Sequence, residues 1–124
     1  MEVTLKLKDV LKLNNALKAI IDDIDIDALL KFKLLGIMKE IEGHVSNFNV
    51  ICNEKIAEYG KKDDEGNITI PSEDKEAIRK FNEVMRKVTD SEVSIHVIKI
   101  KSKEIFSKGI KSEYLIGLYP IMEE

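Results

Sequence analysis

The stretch KKDDEGNITIP, Lys61 to Pro71, gathers acids around a glycine and raises calcium chemistry first. A calcium loop places oxygen ligands at positions 1, 3, 5 and 9, glycine at 6, an apolar residue at 8 and a bidentate glutamate at 12. With Gly66 at the sixth position, Asp63, Glu65 and Ile68 fall on the third, fifth and eighth. Lys61 then takes the first position and Ser72 the twelfth, so an ammonium replaces one anchor ligand and the closing carboxylate is missing. The sequence therefore predicts no metal site here. Asp-Glu-Gly-Asn is instead turn chemistry, with Gly66 or Asn67 able to take positive φ. Ile68-Thr69-Ile70 is then a short extended piece returning from the turn.

His44 and Cys52 are separated by eight residues on one apolar helix stripe, and either a metal or a Cys–His nucleophile pair has to be weighed. A metal needs more ligands, and no nucleophile signature surrounds Cys52. The pair reads as a tolerated polar group and a small buried thiol. His96, the other imidazole, falls on the polar face of a strand. Asp22, Asp23, Asp25 and Asp27 could work as an acid–base pair, but a solvated connector ending in a helix cap explains them more simply. No phosphate-binding glycine loop, no Gly-x-Ser-x-Gly and no His-Glu-x-x-His occurs. No catalytic residue, metal ligand or cofactor is assigned, and a non-enzyme is expected.

One charge cluster remains. Lys99, Lys101, Lys103, Lys108 and Lys111 fall close together, opposed by Glu104. Lysines alternating along a strand guard an exposed sheet edge. They could also hold an anionic ligand: a nucleotide, a phosphate or an acidic partner. Edge protection is the preferred reading, because no arginine or stacking aromatic accompanies them.

The elements that position these residues follow from periodicity. Val3, Leu5 and Leu7 alternate with polar residues as in a half-buried strand. Asp9 is placed to cap a helix reaching Ile21, with Val10, Leu13, Leu17 and Ile20 on one face. Leu30, Leu34, Ile37, Ile41, His44, Phe48 and Ile51 then step by four and three. They predict one long helix from Asp27 to Tyr59, stopped at Gly60. Ser72 is placed to cap a second helix carrying Ala77, Ile78, Phe81, Val84, Met85 and Val88. Glu92 to Lys101 is β-branched and alternating and reads as the best strand. Ser112 is placed to cap a last helix that Pro120 ends. The fold class expected is α+β: a single domain with a long central helix in a helical hairpin, packed with a small β-sheet.

Composition bounds the function. A chain of 124 residues fits one domain. Its net charge of −3 argues against general nucleic-acid binding. No apolar run approaches the roughly 20 residues that span a bilayer, no signal peptide is visible, and one cysteine suits a reducing compartment. A cytoplasmic, membrane-free protein is expected.

Five pieces of the chain carry a resemblance: Leu7-Lys8-Asp9-Val10-Leu11, Glu58-Tyr59-Gly60, Asp64-Glu65-Gly66-Asn67-Ile68, Glu92-Val93-Ser94-Ile95-His96-Val97-Ile98, and Leu115 to Glu123. In that order they resemble the helix starts, helix stops, turns, strands and tails of a family of small uncharacterised proteins encoded by phages and prophages of Firmicutes. The resemblance implies no catalytic residue. It implies a phage accessory or assembly protein that acts through protein contacts in the host cell during infection, on a virion component or a host factor. The lysine cluster supports a different expectation, a sponge that sequesters a nucleotide signal of a host defence system. The long helix outreaches the helix after Ser72 by about a factor of two, and the N-terminal helix is expected to cover only another part of it. Leu34, Ile37, Ile41 and Phe48 are therefore expected to be left over as the interface of a homodimer.

Overall fold

The computed structural model describes residues 2–23, 26–97, 99–107 and 114–123. The chain opens with strand β1, Glu2–Lys6, whose Val3 and Leu5 turn inward. Helix α1, Leu7–Ile21, follows without a break. It starts earlier than a cap at Asp9 would require, because the backbone N–H of Leu7 is already satisfied by the Ser91 carbonyl at 2.8 Å. Asp9 instead lies in the first turn, where a carboxylate complements the helix dipole.

Helix α2, Ala28–Tyr59, has 32 residues and a length of about 48 Å at 1.5 Å per residue. As expected, Asp27 caps it, its Oδ2 accepting from the Leu30 N–H at 3.1 Å. Gly60 stops it. A Cβ there would fall on the Ile56 carbonyl oxygen and lie 2.8 Å from that of Thr69. Glycine thus lets the returning chain cross the helix end. Strands β2, Lys61–Lys62, and β3, Ile68–Thr69, form a small antiparallel hairpin. Helix α3, Lys75–Thr89, then runs back along α2 and completes the helical hairpin. Its cap is Asp74 and not Ser72: the Asp74 Oδ1 accepts from Ala77 N–H at 3.1 Å, whereas Ser72 Oγ turns to Glu73.

Strand β4, Glu92–His96, pairs antiparallel with β1, from Glu2 opposite His96 to Lys6 opposite Glu92. The single strand expected over 92–101 is split. Ile95 and Val97 point inward at spacing two, and Ile100, three beyond Val97, is buried as well, which a single uninterrupted alternation does not allow. The pairing partner changes between them. Strand β5, Ile100–Lys101, pairs in parallel with β6, Met122–Glu123. Between them lie α4, Ser102–Ser107, and α5, Leu115–Leu118, which a 3₁₀ turn over Tyr119–Ile121 extends through Pro120. Ser112 lies outside the described residues.

The architecture is α+β, as expected, but with three two-stranded sheets among the described residues instead of one sheet. The core joins α1 to the first half of α2, with Ile95, Val97, Ile100, Ile105, Leu118 and Ile121 supplying its other wall. This corrects the expected dimer face. Leu34, Ile37 and Ile41 are buried inside one chain, with Leu34 and Ile41 at 0% exposure. Phe48 is half-buried against the edge of the same core. The cover exceeds what the N-terminal helix was expected to give, because Ile95, Val97, Ile100, Ile105, Leu118 and Ile121 join α1 over the first half of α2. Among the described residues, no helix is long and apolar enough to cross a membrane.

Candidate functional site

With Leu30, Leu34, Ile37 and Ile41 inward, α2 turns Leu29, Phe32, Gly36, Gly43 and Val50 to the opposite side, at steps of three, four, seven and seven. This outer face is unusually apolar: Phe32 is 74% exposed and Leu29 61%. Beside it lie His96, Val97, Lys99, Ile100 and Lys101, which border the same opening. Together they form an open groove of about 900 Å³. Its floor is apolar, with Ile37, Val97 and Ile100 buried below and Phe32, Leu35 and Gly36 along one wall. A Cβ built on Gly36 meets nothing within 4 Å, so the groove is open directly above that residue.

Charge surrounds this floor. Lys33, Lys39, Lys99 and Lys101 line the groove with Glu40, Glu104 and His96. Lys33 Nζ is 2.9 Å from Glu104 Oε1 and ties α2 to α4. Lys39, Lys99 and Lys101 have no ion-pair partner among the described residues. The groove is therefore locally positive on a chain whose net charge is −3.

Two of the five predicted lysines, Lys99 and Lys101, are thus brought together with two that the sequence did not single out, Lys33 and Lys39. Lys103 is exposed on α4 and does not line the groove. Lys108 and Lys111 lie outside the described residues. His44 Nε2 reaches the Ser94 carbonyl of β4 at 3.3 Å, and Lys101 lies in register with Glu123 in the two-stranded β5–β6 pair. Phe32 and Gly36 were legible in principle: a phenylalanine half a turn out of phase with the core stripe, and a helix-interior glycine beside it.

The other candidates have local explanations. His44 and Cys52, eight residues apart on one helix, are separated by about 12 Å along its axis, so they do not form a hydrogen-bonded pair. His96 is exposed on the outer face of its strand, as expected. In the 61–71 loop, Asp63 Oδ1 accepts from the backbone N–H groups of Glu65 and Asn67, each at 2.9 Å. Gly66 takes the positive φ of 87°. No group of three or more metal-binding side chains exists among the described residues. Asp25, one of the four connector acids, lies outside them.

A second cleft of about 490 Å³ lies between α1 and α2, bordered by Asn14, Lys18, Lys39, Glu42 and Ser46. It carries two cations and one anion, Lys18, Lys39 and Glu42, and shares Lys39 with the groove. Shifted ionisation is seen on the helical hairpin. The hydrogen bond from Arg79 holds the Glu76 carboxyl below its usual value and raises the guanidinium, and a hydrogen bond to Glu58 raises the Lys55 ammonium.

No family model matches the chain, and neither a curated protein nor a solved structure is significantly similar to it.

Proposed function

We propose that this chain is a non-catalytic interaction protein that engages another protein through the groove between α2 and residues 96–101. The observation that carries this reading is Phe32, an aromatic ring 74% exposed at a helix position opposite the core and beside unpaired lysines. An aromatic anchor with a charged rim is the arrangement that protein interfaces favour. The resemblance to phage and prophage proteins supports a virion component or a host factor as partner, met in the cytoplasm of an infected cell. The test is photocrosslinking in cells with benzoylphenylalanine at position 32 and, as control, at Asn82, an exposed position on α3. A discrete adduct from position 32 that Lys99→Glu with Lys101→Glu abolishes supports the reading. Equal adducts from both positions count against it.

A second reading is a small anionic ligand, such as a nucleotide signal held by a phage-encoded sponge. Its support is the convergence of Lys39, Lys99 and Lys101 on an apolar floor of a volume typical for small-molecule sites. Thermal-shift screens in which no nucleotide stabilises the protein would remove it.

A further inference from the structure

We infer that the groove is built for a short acidic segment of a partner protein carrying one or two large apolar side chains, one of which seats over Gly36. This rests on the reading of the groove as the binding face and specifies what fills it. The length follows from α2: Phe32 to Glu40 spans eight residues, about 12 Å of helix, which is two turns of a partner helix or about four extended residues. The apolar content follows from the floor of Ile37, Val97 and Ile100 and from the open volume above Gly36.

The acidic content follows from charge. Lys39 stands on the α2 wall, and Lys99 and Lys101 on the opposite one. None is paired among the described residues, so carboxylates on both flanks of the occupant complete the site. Phosphate chemistry fits less well. Phosphate sites draw on free backbone N–H groups at helix starts or in nests. Here the wall is α2 beyond its first turn, where the amides are used by the helix itself. The cations are lysines distributed over two walls, with no arginine to bind one phosphate bidentately.

The experiment uses the full chain and a fluorescein-labelled twelve-residue peptide of alternating Leu-Leu and Glu-Glu pairs, read by fluorescence anisotropy. Comparison peptides replace every Glu by Lys, or every Leu by Ser. Unlabelled ATP and dodecyl phosphate serve as competitors. The Leu–Glu peptide is expected to bind at least tenfold more tightly than either comparison, and more weakly as salt is raised. Lys99→Glu with Lys101→Glu should weaken it at least tenfold. Gly36→Leu should do the same while leaving the chain folded, since a Cβ at Gly36 meets no neighbour. Equal binding of the lysine peptide, unchanged affinity in Gly36→Leu, or displacement by ATP or dodecyl phosphate at concentrations far below those of unlabelled peptide would each overturn the inference. If the acidic peptide fails while the position-32 adduct persists, only the partner chemistry is wrong. If both fail, the groove is not the binding face.

Discussion

Replacing Gly36 by alanine should stabilise this protein, and the size of the effect can be worked out. Gly36 lies well inside α2, is exposed, and would place its Cβ in open space. Such a change recovers about 1 kcal/mol of helix propensity. Gly43 meets the same conditions seven residues on, about 10 Å along the axis, so the two changes should add to about 2 kcal/mol. For 124 residues, an unfolding entropy of about 2.1 cal/mol/K per residue converts 1 kcal/mol into a rise in Tm of about 4 °C. The double variant should gain about 8 °C by the same conversion. Circular dichroism melts at 222 nm, with urea titrations for the free energy, measure both. Gly60→Ala is the control of opposite sign, because its Cβ would strike the Ile56 and Thr69 carbonyls. A lower Tm for Gly36→Ala would mean that something meets the new methyl group in solution. The outer face of α2 would then be covered, and the groove would not be an open site.

Ile41→Glu should unfold the chain and not merely dissociate a dimer, since an unpaired carboxylate at a fully buried position costs several kcal/mol; light scattering with circular dichroism separates the two outcomes. Asp74→Ala should cost about 1 kcal/mol in urea unfolding and Ser72→Ala less than about half of that, because only Asp74 caps α3. Glu76 binds its proton less tightly when folded, so its contribution is present above the ordinary glutamate pKa and lost as pH falls through the lowered value. The group is fully exposed and the effect small; Arg79→Ala should flatten the urea midpoint against pH in the acid range, and an unchanged slope would deny the pair a role.

Much of this fold was legible because the elements are strongly patterned. The α2 stripe, its Asp27 cap and its Gly60 stop follow from spacing and local backbone chemistry, and the turn at Gly66 from its need for positive φ. Element ends were less legible. Ser72 and Asp74 are both good caps, and only the approach of the chain from Pro71 selects Asp74. The split of the 92–101 strand depends on β6, which lies more than 20 residues away in sequence. The site was half legible. Lys99 and Lys101 stood out as a local cluster, whereas Lys33 and Lys39 come from another element and join them only through packing. The burial of Leu34, Ile37 and Ile41 within one chain was hidden for the same reason, since cover of α2 by α1 and by Ile95, Val97, Ile100, Ile105, Leu118 and Ile121 is a tertiary fact.

The groove as a binding face is tested most directly by mapping amide shifts in ¹H–¹⁵N spectra as the Leu–Glu peptide is added to the labelled full-length chain. Perturbations concentrated at Phe32–Glu40 and His96–Lys101, and lost in Lys99→Glu with Lys101→Glu, are the predicted result. Perturbations centred instead on α3 or the β2–β3 hairpin, or unaffected by those charge reversals, would contradict it.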